Sequence, residues 1–177
     1  MKGFTLIEAM VAVSIIAISV AAPTYGASRA LTAAQNANSQ LTASYLAQEG
    51  IEYARVARDS YYLAARTDKA TASSNGWDAF NDNVVNFCTG SAGCSFDSLN
   101  PSFTACGSSC PKLNLRKSTG EYTTQTGSGL DPTIYTRTIK MSSVTADEVE
   151  ITSTVSWSFH DTTHRVEIVS RLTRWLP

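Results

Sequence analysis

The chain opens on a run of apolar positions with no polar gap of any size. From Phe4 to Ala22 the only charged residue is Glu8, and Val11, Val13, Ile15, Ile16, Ile18 and Val20 supply β-branched bulk. As a helix rising about 1.5 Å per residue the run spans roughly 28 Å, close to a bilayer's hydrocarbon core. About nine strong hydrophobes, at roughly −0.3 to −0.6 kcal/mol each, outweigh one carboxylate, whose cost of about 3 kcal/mol applies at mid-membrane and falls toward the interface. The pattern therefore predicts a membrane-inserting helix. Pro23 closes its most apolar part. Proline lacks an N–H and crowds the preceding turn, so a kink or local loosening is expected between Ala21 and Gly26, with two separate helices as the alternative. Helical character resumes from Ser28 to Gln35.

From Ala43 to Tyr61 the pattern becomes amphipathic. Leu46, Ala47, Gly50, Tyr53, Ala54, Ala57 and Tyr61 fall on one face at helical spacing, and Gln48, Glu52, Arg55 and Asp59 on the other. Glu52 with Arg55, and Arg55 with Asp59, stand at spacings that support ion pairs worth a few tenths of a kcal/mol, on the order of 0.3 each. The small residues on the apolar face predict that a sheet approaches closely. Gly50 costs about 1 kcal/mol relative to alanine inside a helix, and close packing is the reason to accept that.

Arg66 to Asn75 is polar, with Ser73-Ser74-Asn75-Gly76 as a turn signal. Trp77 to Phe80 supplies a small apolar patch, and Val84 to Phe87 reads as a helical turn or a short strand. Leu113 to Leu130 is rich in Gly, Ser and Thr and is expected to be a surface loop with at most one short strand. Period two then takes over. Thr136 to Met141 reads as a strand. Val149, Ile151, Val155, Trp157 and Phe159 alternate with polar residues along a second. His160 to His164 reads as the turn, and Val166, Ile168 and Leu172 mark a returning third strand. Three antiparallel strands of this kind can lay an apolar face on the 43–61 helix, and neither partner buries its face alone.

Glu8 is the feature a bland anchor does not explain, because a carboxylate in lipid is costly unless an opposite charge meets it. Around it, Gly3-Phe4-Thr5-Leu6-Ile7-Glu8 resembles without a gap the start of a type IV prepilin: a short basic leader ending in Gly, then Phe-Thr-Leu-Ile-Glu, then an apolar helix. The resemblance implies cleavage by prepilin peptidase between Gly3 and Phe4, and N-methylation of Phe4 by the same enzyme. It makes Glu8 the fifth residue of the mature chain, where the family pairs a carboxylate with a neighbouring subunit's N-terminal amine. Such a charge is satisfied only by another subunit, and so favours one axial register. The leader of three residues is short for the family, and the proline position departs from its commonest pattern. A secretory signal would be cut after the apolar run; here the expected cut precedes it, so the helix stays. Lys2 is expected to remain cytoplasmic, with the rest outside. Ser44 to Glu52 resembles the equivalent part of PilV-like minor pilins, in which Ala-Gln-Glu-Gly recurs.

Composition narrows the rest. The 177 residues allow one modest domain besides the anchor, and 16% charged residues at a net charge of −1 give no nucleic-acid footprint. The four cysteines, Cys88, Cys94, Cys106 and Cys110, permit three pairings. The two local ones are favoured, because Gly and Ser let the short loops close, and the extracytoplasmic side is oxidising. A crossed pairing stays open. A four-cysteine zinc site is disfavoured by the five residues between Cys88 and Cys94, wider than structural zinc spacing. His160 and His164 near Asp161 form a conceivable metal pair, against which stand ordinary solvated loop histidines. Tyr61, Tyr62, Trp77 and Trp175 offer either an exposed aromatic patch or core. There is no phosphate loop, nucleophile turn or calcium loop, so no residue set supports an enzyme or a cofactor.

The expected fold is α+β and pilin-like, a long N-terminal helix whose second half packs on a small antiparallel sheet. The expected organisation is a leader at 1–3, a hydrophobic membrane and assembly helix at 4–23, its amphipathic continuation at 24–62, and an extracytoplasmic head at 63–177. The expected role is a structural subunit of a type IV pilus, a minor pilin, held in the inner membrane before assembly. Its partners would be prepilin peptidase, membrane lipid, the inner-membrane assembly platform and other pilins. A pseudopilin of a type II secretion system and a single-pass anchored binding protein that never polymerises are the alternatives.

Overall fold

A computed structural model of the chain describes residues 5–67 and 72–174. Residues 1–39 and 40–177 form two compact units. Helix α1 runs from Leu6 to Ala64 with Pro23 inside it. Residues 21–26 are all helical, which corrects the two-helix alternative. A proline removes one backbone donor and leaves the rest of the helical ladder in place. The side chain just after it adds to that ladder: Thr24 Oγ1 donates to the carbonyls of Val20 and Ala21 at 3.1 and 2.9 Å.

The head is a seven-stranded antiparallel sheet, not the three strands expected. Its frame is a meander of β5 (Leu130–Thr145), β6 (Glu148–Phe159) and β7 (Thr162–Thr173). The four added strands are β1 (Cys94–Asp97), β2 (Ser102–Ala105), β3 (Lys112–Arg116) and β4 (Tyr122–Thr123). β5 carries β6 along one edge, and β3 and β1 share the other, extended by β4 and β2 respectively. The expected surface loop over 113–130 is thus corrected: Leu113, 1% exposed, is a core residue of β3. β1 to β4 are too short to display a period. The turn between β6 and β7 is also shorter than expected. His160 and Asp161, at φ +48° and +59°, make a two-residue hairpin turn of the kind that matches strand twist, and Thr162 to His164 already belong to β7.

Within this unit the 40–64 part of α1 lies on the inward face of the sheet. Ala43, Leu46 and Ala47 pack with Leu113, Tyr135, Val155 and Trp157, while Ile51 and Ala54 join Ile139, Met141, Val149 and Ile151. The buried stripe differs from the expected face. Ile51 and Tyr62 are buried, whereas Tyr53, Ala57 and Tyr61 are only half-buried. Gly50 sits where a Cβ would lie 2.6 Å from Ser153 Oγ and 3.3 Å from Ile139 Cδ1, so the close approach of helix and sheet is its reason. Glu52 pairs with Arg55 at 2.7 Å, but Asp59 pairs with Arg58 rather than Arg55.

The segment expected to turn at Ser73 to Gly76 is helical from Ala72 to Cys88. α2 spans Ala72–Phe80, and a π-helical turn at Asn81–Val85 leads into the short helix α3 at Asn86–Cys88. Ser73 to Gly76 is therefore not a turn. Gly76 serves packing instead: a Cβ there would lie 2.9 Å from Tyr62 Cα. Trp77 and Phe80 are 2% and 0% exposed, and Trp77 Nε1 donates to the Ala146 carbonyl at 2.8 Å, tying α2 to the β5–β6 turn. With Tyr62 buried as well, these aromatics are core rather than an exposed patch; Trp175 lies outside the described residues. Gly76→Ala is expected to destabilise the head by about 1–3 kcal/mol, because relief requires backbone to move. Thermal unfolding followed by tryptophan fluorescence checks this, and an unchanged midpoint contradicts it.

Candidate assembly site on the N-terminal helix

The start of α1 is built by Thr5. Its carbonyl accepts from the amides of Glu8 and Ala9 at 3.1 and 3.2 Å, and its Oγ1 from the Glu8 amide at 3.4 Å. Thr5-Leu6-Ile7-Glu8 has the spacing of a capping box, a start signal that the apolar reading of this stretch passed over. Glu8 lies in the first turn, where the helix dipole favours a negative charge. No ion pair joins it to another described residue.

The apolar run behind Glu8 is long and apolar enough to cross a membrane once, and none of it is buried. Leu6, Ile7, Val13, Ile16 and Ile18 are each more than half exposed. This continuous surface is far more than scattered exposed hydrophobes, and it requires either lipid or other chains to cover it. The hydroxyls along it are already satisfied. Ser14 and Ser19 donate to the carbonyls of Met10 and Ile15 at 2.8 and 2.7 Å, so they bring no free donor into an apolar medium. The run ends at a polar clasp. Arg29 Nε and Nη2 donate to Tyr25 Oη at 3.0 and 2.5 Å, with the guanidinium 5.1 Å from the ring centroid. An aromatic and a cation in this position suit the membrane–water interface.

Residues 1–22 match the family model for the prokaryotic N-terminal methylation motif. This methylation motif is characteristic of type IV prepilin-like proteins, and it implies processing by prepilin peptidase and assembly with other pilins. The motif contains Gly3 and Phe4, the expected cleavage and methylation positions, which lie outside the described residues. It also contains Glu8, at the head of the exposed helix. With the long helix and the small antiparallel sheet, the architecture is α+β and pilin-like. The match ends at residue 22, so it lends no support to the likeness of Ser44–Glu52 to PilV-like minor pilins. No curated protein and no solved structure matches the chain.

The head holds a polar pair that the strand pattern concealed. Arg137, on β5, has a side chain only 1% exposed. Its Nη1 lies 2.7 Å from Glu49 Oε2 and donates to the Leu46 carbonyl at 3.2 Å, while Nη2 donates to the Phe96 carbonyl at 3.2 Å. One guanidinium thus joins helix, pair and strand β1. The signal was parity: Arg137 stands in step with Tyr135, Ile139 and Met141, all of which face the core. Glu49 also acts on nearby phenols. Burial raises the Tyr53 hydroxyl above its usual value of 10.0, and Glu49 adds to the rise. Burial raises Tyr122 likewise, with smaller contributions from Tyr135 and Glu49.

The cysteines close two local loops. Cys88 is bonded to Cys94 and Cys106 to Cys110, with Cα atoms 4.6 and 4.9 Å apart. Cys88 and Cys94 are fully buried and join α3 to β1 inside the core. Cys106 N donates to the Gly93 carbonyl at 2.9 Å, which sets the second loop beside the first. No free thiol stands among the described residues, and no group of three or more metal-ligating side chains. The two histidines are engaged by rings: His164 stacks on Trp157 at 5.6 Å, and His160 meets the edge of Phe159 at 4.5 Å.

Proposed function

We propose that the chain is a structural subunit of a type IV pilus, of the minor-pilin kind, with no catalytic role. The observation that carries this reading is Glu8 in the first turn of an apolar helix whose surface is entirely uncovered, within the methylation motif. Prepilin peptidase removes residues 1–3 and methylates the new N-terminus at Phe4. Until then residues 4–23 hold the chain in the inner membrane as a single span, with the amphipathic continuation at 24–62 and the head at 63–177 on the extracytoplasmic side. The assembly platform then draws the helix out of lipid. Loss of lipid contact is offset by packing against other subunits' apolar helices.

Glu8 steers that step. Its carboxylate meets the N-terminal amine of a neighbouring subunit, and a buried charge without such a partner is strongly unfavourable. One register satisfies it and others do not. The disulfides belong to the same picture, since the head faces an oxidising compartment. The direct test is mass spectrometry of filaments sheared from cells. The expected result is a chain beginning at methylated Phe4. A chain that retains residues 1–3 in cells with active peptidase, or that never occurs in sheared surface filaments, overturns the reading.

A further inference from the structure

We propose that the head binds a neutral saccharide in an aromatic pocket between the 53–61 stretch of α1 and the β1–β2 hairpin. The pocket holds about 470 Å³, within the range of roughly 300–1,000 Å³ of small-molecule sites. Its rings come from elements far apart in sequence. Tyr53 stacks on Phe96 with centroids 3.8 Å apart, and Phe103 stands 5.0 Å from Phe96. Phe96 is buried, whereas Tyr53, Tyr61 and Phe103 are half-buried and keep ring surface uncovered. Val56, 61% exposed, adds an aliphatic wall. All of these residues belong to one compact unit, so the head's own packing sets the site.

The polar part of the lining selects among ligands with an apolar face. Ser60, Asn83 and Ser102 line the pocket, and each has turned a hydrogen to nearby backbone. Ser60 Oγ donates to the Ala57 carbonyl at 2.7 Å, Asn83 Nδ2 to the Ala79 carbonyl at 2.8 Å, and Ser102 Oγ to the Asn100 carbonyl at 2.9 Å. The two serines have spent their only hydrogens, and what remains there and at Asn83 Oδ1 is acceptor capacity. A ligand that donates hydrogen bonds is matched. A proline-rich peptide, whose carbonyls only accept, is poorly matched at the serines. A saccharide donates through its hydroxyls and lays its C–H faces against aromatic rings. The phenols of Tyr53 and Tyr61 complete the set, since such a hydroxyl gives or takes. Among the described residues no charged side chain lines the pocket, so an ionised ligand would lose water without gaining a counter-ion. The occupant is therefore neutral. The site uses nothing in the membrane-inserting run, so it stands or falls separately from filament assembly.

The test is saturation-transfer NMR on the full chain in micelles of a zwitterionic detergent, which adds no sugar of its own. The probes are neutral di- and trisaccharides of glucose, galactose, mannose and N-acetylglucosamine at millimolar concentration. At least one is expected to bind, with saturation strongest at the C–H protons of one ring face. Tyr61→Phe keeps the ring and is expected to retain most of the binding, whereas Tyr61→Leu weakens it about tenfold or more. Asn83→Ala removes an acceptor and is expected to weaken it about threefold or more. Asn83 is exposed, so its variant still reads the site if thermal unfolding shows that Tyr61→Leu disturbs packing. Absence of binding across the panel, a bound saccharide indifferent to both positions, or an oligoproline peptide bound in its place overturns the proposal.

Discussion

Glu49→Ala is expected to destabilise the head by about 3–5 kcal/mol, the cost of stranding one member of a buried ion pair. Arg137 is the larger liability of the two. Its side chain is 1% exposed, whereas that of Glu49 is 32% exposed and keeps some contact with water. Removing Glu49 leaves a guanidinium held only by the carbonyls of Leu46 and Phe96 and by the Phe96 ring, 5.8 Å away. Those partners carry no net charge and do not replace the carboxylate. Water entering through the space left by Glu49 would place the loss toward the lower end of the range. Glu49→Gln keeps an acceptor within reach and is expected to cost less. Adding Arg137→Met to Glu49→Gln is expected to recover much of the loss, because an apolar side chain of similar length needs no counter-ion. Denaturant unfolding of the full chain, followed by the fluorescence of Trp77 and Trp157, measures all three variants. A loss under about 1 kcal/mol for Glu49→Ala would show that the pair is not what holds helix to sheet.

Glu8→Ala is expected to cut incorporation into filaments at least tenfold while leaving membrane insertion intact. The two readouts move apart for a physical reason. In lipid the carboxylate only costs, so its removal makes the span more apolar and insertion no harder. In the proposed filament the same carboxylate would meet an amine, and its removal would leave that neighbouring amine buried and uncompensated. A tenfold change corresponds to about 1.4 kcal/mol, well below the cost of a stranded buried charge. Immunoblots of sheared filaments against the membrane fraction measure the ratio. Glu8→Asp retains the charge on a shorter stem and is expected to fall between. Equal incorporation of Glu8→Ala and the native chain would show that Glu8 does not steer assembly.

The legible and illegible parts of this chain divide by range. The membrane helix was readable because its signal is additive: nineteen positions from Phe4 to Ala22 need no partner within the chain to be recognised. The β5–β7 meander was readable because alternation over ten or more residues leaves little choice of face. Strands β1 to β4 run two to five residues, too few for a period, and exist because β5 offers an edge to β1 and β3, which β2 and β4 extend. Gly76 shows the same limit from the other side. Serine, asparagine and glycine in succession spell a turn locally, yet Tyr62 needs that glycine in a helix.

By itself the sequence determined that an apolar span carries an acid near its start, that the span leads to an amphipathic helix, and that a long hairpin follows. These are properties of composition and period, which act over neighbouring residues. Only the tertiary structure decided that Arg137 is buried against Glu49, 88 residues earlier, which cysteines bond, and that β7 pairs with β6 alone among the described residues. Each of those depends on which surfaces meet across the fold, and a partner that distant leaves no trace in the local pattern of either residue.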